Sequence, residues 1–416
     1  MQNTIRKARR LISLYVALCG AVVFPLASRA FGQAPPGSAR SDSGWLYVVD
    51  SKRNASESAV LVLDPDKGRV VASFSGGYQP DIALSPDGSR LYFSYSDYEN
   101  PSEGKLQVID TSTGAVVKEL PNKNRWLTDS YSYAPNVVLS PDGAWLYLFK
   151  AIAAQSSTYY IEVFDTRRNA FLPNKVELPD CVSATMVHSV VGDGVYVVCH
   201  ETREVLLVGV NPDSKTAEPS AVVLDVGNGL GPPPRKIDPQ THEKRNKYHT
   251  ATGFPNLDGR TFTVITTDGL FLRGDVSSRR AIEHGSIDRT ISGSTTKPAT
   301  PDSPGWLDDR WVRAQAPVLS PDGKRLYLGL GTNKLRYHGS QFLDEIAVLD
   351  AGSLDLVNSL NPNRTFWSFA ISSNRSRIYV VDPDHAVISI LDANNGRELG
   401  VMTGVGTYPV YAVVAP

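Results

Sequence analysis

The chain has 416 residues, 42 of them basic and 43 acidic, for a formal charge of -1. So even a balance excludes the basic groove that tracks nucleic-acid phosphates. With 41% hydrophobic residues, the chain can bury one large core or several smaller ones.

At the N-terminus, Arg6, Lys7, Arg9 and Arg10 precede an apolar run from Leu11 to Ala27, followed by Ser28-Arg29-Ala30. That order reads as a secretory signal cleaved after Ala30 or Ala34, with an uncleaved anchor as the competing reading. Leu18 before Cys19 argues against lipidation, since a lipoprotein signal places a small residue there. Residues 1–30 are therefore expected to be a signal peptide, 31–43 a flexible segment and 44–416 a single soluble domain in the periplasm or outside the cell.

The body repeats one unit. Seven short runs rich in aliphatic, β-branched and aromatic residues begin at Leu46, Leu91, Leu146, Val195, Phe262, Leu326 and Ile378, six of them carrying tyrosine second. A second strand follows each and usually ends in Asp, as at Asp64, Asp110, Asp165, Asp350 and Asp392. Tight turns precede several of the pairs: Ser85-Pro86-Asp87-Gly88, Ser140-Pro141-Asp142-Gly143 and Ser320-Pro321-Asp322-Gly323. Proline presets φ, aspartate accepts a local hydrogen bond and glycine admits positive φ, so each turn directs a hairpin. The repeated acids are thereby explained as turn residues and not as a metal array.

Seven pairs predict an all-β, seven-bladed propeller with four-stranded antiparallel blades. The body starts near Trp45, at a strand that elsewhere comes second. The C-terminal stretch from Gly406 to Pro416 resembles Gly77 to Pro86, so it is expected to close the first blade. Residues from Ala217 to Thr252 and from Ser286 to Gln315 read as long irregular loops. Export permits a disulfide between Cys181 and Cys199, which flank an expected hairpin from Met186 to Cys199; two buried thiols are the alternative.

The Ser-Pro-Asp-Gly, Leu-Tyr and Asp-ending unit resembles the repeat of lactonase-like and surface-layer-type bacterial propellers. More narrowly, Leu178-Pro179-Asp180-Cys181 with Val198-Cys199-His200, Tyr248-His249 and Gly305-Trp306 with Trp311 resemble the heavy subunit of methylamine or aralkylamine dehydrogenases. The resemblance implies a Cys181–Cys199 disulfide, and a disc that holds a small disulfide-rich light chain bearing a tryptophan-derived quinone. It also implies a copper protein as electron acceptor and an assembly of two heavy and two light chains. The cofactor would then lie in the light chain, and none is expected in this one.

Three groups of residues are candidates for function. His249 belongs to a polar stretch in which His242 and His249 are seven apart, outside short zinc-ligand spacings, so a solvated loop outranks a metal site. Asp308 and Asp309, flanked by Trp306, Arg310, Trp311 and Arg313, combine paired acids with aromatic rings. Such a cluster suits a protein interface, or a general acid and base acting on a sugar. Trp126, Tyr131 and Tyr133, together with Arg364 and Trp367, fall at related phases of the repeat and read as an aromatic and arginine-rich binding rim. Packing between blades is the plain alternative, and it is stronger for Trp45 and Trp145. The first functional reading is a non-catalytic periplasmic subunit that holds a redox partner; the alternatives are a stand-alone hydrolase or lyase acting on a carbohydrate or lactone, and a structural cell-envelope protein.

Overall fold

The structure is a computed structural model. It describes residues 44–51, 58–97, 103–121, 136–151, 159–178, 181, 184–189, 194–199, 204–211, 216–225, 236–237, 244–245, 250–256, 258–266, 270–287, 310–312, 317–320, 322–332 and 343–415. The expected signal peptide and flexible segment lie outside them.

Seven antiparallel sheets form the blades of an all-β propeller, and among the described residues there is no helix. Blade 2 runs outward through Tyr78–Leu84, Arg90–Ser96, Gly104–Asp110 and Val116–Pro121. Blade 3 comprises Val137–Leu139, Trp145–Ala151, Tyr159–Asp165 and Ala170–Leu178; blade 4 comprises Ala184–His188, Val195–Cys199, Glu204–Asn211 and Thr216–Asp225. Blade 5 is Thr250–Pro255, Thr261–Thr266, Leu270–Asp275 and Arg280–Ser286, and blade 7 is Ser368–Ile371, Arg377–Asp382, Val387–Asp392 and Glu398–Thr403. In blade 6, Arg325–Thr332, Glu345–Asp350 and Leu356–Leu360 are joined at the innermost position by two pieces, Arg310–Val312 and Val318–Leu319. Blade 1 is Leu46–Ser51, Ser58–Asp64 and Arg69–Gly76, completed from the other end of the chain by Pro409–Val414.

Two stretches expected to be irregular contain strands. The first holds the outermost strand of blade 4 and a short ribbon, Lys236–Ile237 with Lys244–Arg245; the second holds Arg310–Val312. Pro219 lies within Thr216–Asp225, which is possible because an outermost strand needs hydrogen-bond partners on one side only.

The packing follows from the period of two. The first residue of each repeated run, Leu46, Leu91, Leu146, Val195, Phe262, Leu326 or Ile378, packs into the cluster shared with the preceding blade. The tyrosine beside it, Tyr47, Tyr92, Tyr147, Tyr196, Tyr327 or Tyr379, points to the opposite face and packs into the cluster shared with the following blade. The second strand of every blade is thus buried on both sides. Trp145 lies in the cluster between blades 3 and 4, and half-buried Trp45 packs against the one between blades 1 and 2.

The turns are held as their composition predicts. Ser85 Oγ donates to Asp87 Oδ1 at 2.6 Å and accepts from Arg90 N at 2.8 Å, and Gly88 has φ 70°. Ser140 with Asp142, Ser320 with Asp322 and Ser372 with Asn374 repeat the arrangement. Beside these turns, at the same edge of the blade, the carboxylates closing the third strands cap the next turn; Asp350 Oδ1 accepts from the amides of Gly352 and Ser353, both at 3.0 Å.

Ring closure has its own clasp. Asp50, 3% exposed, accepts from the amides of Thr407 (2.9 Å) and Tyr408 (2.6 Å), and Ser51 N donates to Tyr408 O at 2.9 Å. Gly406, at φ 70°, lies so close to this carboxylate that a Cβ would collide with it. Replacing Asp50 with alanine leaves the buried Tyr408 amide and the part-buried Thr407 amide without an acceptor, so D50A should lower stability by about 1–3 kcal/mol, measured as a shift in urea midpoint.

The turn carboxylates make stability acid-sensitive. Asp87 is held down to about 2 from 3.8, first by the Ser85 hydroxyl, and Asp322 and Asp350 are lowered by the Ser320 hydroxyl and the Ser353 amide respectively. Their folded pKa values lie below the unfolded ones, so the stability they contribute is complete above about pH 5 and is lost as pH falls towards about 2. Urea midpoints measured from pH 5 to pH 2 should fall, and S85A should make the fall shallower.

Candidate partner-binding face

In a four-stranded antiparallel blade, the start of the innermost strand and the end of the outermost strand lie at the same edge. Every connection between blades therefore emerges on one face of the disc, and the Ser-Pro-Asp-Gly turns lie on the other. The candidate residues all fall in blade-to-blade connections or at their ends. Trp126, Tyr131 and Tyr133 precede the innermost strand of blade 3; His249 immediately precedes that of blade 5; Trp306, Asp308 and Asp309 precede Arg310–Val312 of blade 6; Arg364 and Trp367 precede that of blade 7. Trp126, Tyr131, Tyr133, His249, Trp306, Asp308, Asp309 and Arg313 lie outside the described residues, and Arg310 and Trp311 are described by their backbone pairing alone.

That pairing is informative. Arg310 stands opposite Thr332 and Trp311 opposite Gly331, whereas Val318 stands opposite Tyr327. Val312 stands opposite Leu330 and Val318 opposite Tyr327, so the two pieces pair with the same second strand at separate places. In sequence, Asp309 immediately precedes this strand and lies outside the described residues.

Arg364 and Trp367 have different surroundings. Arg364 is partly exposed and its Nη2 meets Glu398 Oε2 at 3.2 Å, whereas Trp367 is only 7% exposed. The indole crosses Tyr408 edge to face at 5.2 Å between centroids, and its backbone amide donates to Val381 O. Phe366 is also buried, paired through its backbone with Leu343. Trp367 is therefore placed in the packing beside the closing strand and not on an open rim.

Sequence reasoning missed a polar collar around the axis. Four residues before the serine of each turn, or the residue equivalent to it, stand Asp81, Asn136, Thr185, Thr252 and Ser368, all buried. Ser368 Oγ donates to Val410 O at 2.8 Å, joining blade 7 to blade 1. Tyr411 OH accepts from Ile82 N at 2.7 Å and donates to Asp81 Oδ1 at 3.3 Å, joining blade 1 to blade 2. Asn136 Nδ2 donates to Asp81 Oδ2 at 3.4 Å, joining blade 2 to blade 3. Aligning the repeats on the turn serine brings these positions into one column, and that was the available signal. The side chains of Asp81, Asn136 and Ser368 bond between blades, which suits a rigid floor beneath the connections more than proton transfer. Lys150 was missed as well: 1% exposed, it pairs with Glu162 and lies 4.8 Å from the Phe171 ring centre. Such a buried pair braces blade 3 internally.

Cys181 and Cys199 form a disulfide, with Cα atoms 5.3 Å apart. The expected hairpin is present, with Ala184 opposite Cys199 and His188 opposite Val195. The bridge ties the connection leaving blade 3 to the second strand of blade 4, on the candidate face. Among the described residues, no three His, Cys, Asp or Glu side chains come together as metal ligands, and no helix is long and apolar enough to cross a membrane.

These features define a seven-bladed propeller whose structural neighbours include lactonase-like discs. The periplasmic gluconolactonase of Pseudomonas aeruginosa superposes with a TM-score of 0.56 at 16% identity, covering 90% of this chain and 99% of that one. A protein of unknown function from Desulfotomaculum acetoxidans gives 0.58 at 12% identity, covering 90% and 99%. Within that class, the sequence profile of the methylamine dehydrogenase heavy chain family matches residues 42–219. The methylamine dehydrogenase heavy chain of Methylorubrum extorquens is 22% identical over 374 residues, 88% of this chain and 81% of that one. The chain is thus a seven-bladed propeller that is similar in sequence to methylamine dehydrogenase heavy chains.

The disulfide closes a loop with a sequence separation of 18, which in the chain-entropy account contributes about 3 kcal/mol. The C181S/C199S double variant should unfold at correspondingly lower urea, while the wild type should show the same loss only under reducing conditions.

Proposed function

We propose that this chain is a non-catalytic, exported propeller subunit that presents its connection-bearing face to a smaller partner carrying the redox centre. The observation that carries the reading is the heavy-chain likeness, which extends over 88% of the chain. The architecture suits the role. A closed ring with a hydrogen-bonded inner collar gives a stiff platform, and the blade-to-blade connections carry the aromatic and arginine residues of a protein interface. The basic and apolar N-terminus supports periplasmic placement. In this reading the tryptophan-derived quinone belongs to the small partner, a copper protein accepts its electrons, and no cofactor is held here.

A second reading rests on the paired acids Asp308 and Asp309, flanked in sequence by Trp306 and Trp311, as a general acid and base acting on a sugar or lactone.

Purification of the tagged chain from its own host separates the two. A small, quinone-absorbing subunit should be retained with the wild type and released by W306A/W311A. An isolated chain that turns over a lactone or glycoside, with activity lost in D308N or D309N, would overturn the scaffold reading and establish the second.

A further inference from the structure

Blade 5 departs from the repeat at one cross-strand pair. In the other six blades the tyrosine of the second strand stands opposite an aliphatic residue of the third: Val62, Val108, Val163, Leu207, Val348 or Ile390. In blade 5 the pair is Thr263 opposite Arg273. Both members have changed, and together they convert an apolar slot between blades into a polar one.

The repeat shows what the slot normally holds. Tyr92 lies near Asp87 and Arg90 of its own blade, and its hydroxyl bonds to Thr166 of blade 3. The equivalent positions around Thr263 are Asp258, Thr261 and, from blade 6, Ala351. All three line an open cavity of about 820 Å³ between blades 5 and 6. The ring is missing, and so is the hydroxyl that would bond to it from the neighbouring blade.

Arg273 is held at the wall of this cavity. Its Nη1 donates to Glu283 Oε2 at 2.7 Å, its Nη2 to Gly352 O across the cleft at 2.6 Å, and its Nε to Thr263 Oγ1 at 3.4 Å. With all three nitrogens engaged, the guanidinium is left to offer its faces to a guest. Phe254, Pro255 and Leu319 supply apolar wall, and the lining carries four carboxylates against the three cations Arg273, Lys324 and Arg325. A small anion therefore meets more like charge than opposite. A neutral aromatic ring meets apolar wall and a fixed cation, and carboxylates at the rim can accept from its hydroxyl.

We propose that the cleft between blades 5 and 6 binds a phenol ring, supplied by a tyrosine of a partner segment or by a small phenolic molecule. It opens among the turns, on the face opposite the blade-to-blade connections, so it stands independently of the subunit reading above.

The test titrates the full chain with p-cresol and with the blocked peptide acetyl-Gly-Tyr-Gly-amide, followed by saturation-transfer NMR. The T263Y/R273V variant restores the pair found in the other blades and refills the slot; thermal unfolding checks that it is folded. R273V alone keeps the slot and removes the cation. The wild type should bind at least one probe saturably, T263Y/R273V should bind it roughly tenfold more weakly or not at all, and R273V should be intermediate. A peptide that binds roughly tenfold more tightly than p-cresol identifies a partner segment, and equal affinities identify a small phenolic ligand. Failure of both probes to saturate, or binding unchanged in both variants, overturns the proposal.

Discussion

The second strand of each blade is buried on both faces. A residue such as Leu91 needs blade 1 and its neighbour Tyr92 needs blade 3, so no blade can satisfy its own core. Any open row of blades would leave one such face in water at each end, at a cost of roughly 1.5–3 kcal/mol for each large side chain exposed. The chain removes both ends at once by lending its last strand to its first sheet. Asp50, Gly406 and Tyr408 sit at that seam, and the Trp367 ring packs against it. Trp367, which reads in the sequence as a rim aromatic, is therefore occupied in keeping the ring shut.

Closure also sorts the chain by chemistry. Short turns with fixed composition collect on one face, where carboxylates satisfy backbone amides and Arg375 and Arg377 reach Asp322 and Asp66 of neighbouring blades. The variable connections collect on the other, above a collar of hydrogen bonds between inner strands. One face is thus free to vary in sequence while the other maintains the repeat, which is the arrangement a scaffold requires. Blade 5 breaks the pattern on the conserved-looking face, and it does so through a matched pair of changes that keeps the cleft bridged by Arg273.

The turns and the closing strand were legible in the sequence because their causes are local: proline, aspartate and glycine at fixed offsets, or a motif recurring at both ends. The inner strand of blade 6 was not, because it comes as two separate pieces, Arg310–Val312 and Val318–Leu319, and neither is long enough to show alternation. Thr216–Asp225 was hidden by Pro219, which signals a loop unless the strand is known to be outermost. Trp367 reads equally well as a rim anchor or as packing, and only its contact with Tyr408 decides.

By itself the sequence determined the number of blades, the turn chemistry, the closure by the C-terminal strand and the positions of the two bridging cysteines, since each depends on neighbours in the chain or on a repeated pattern. Only the tertiary structure decided which face each residue serves, that the collar from Asp81 to Ser368 lies at one level around the axis, and that Thr261, Arg273 and Ala351 border one cavity. Those relations join residues from different blades, and their proximity arises from wrapping the ring, which leaves no trace in local order.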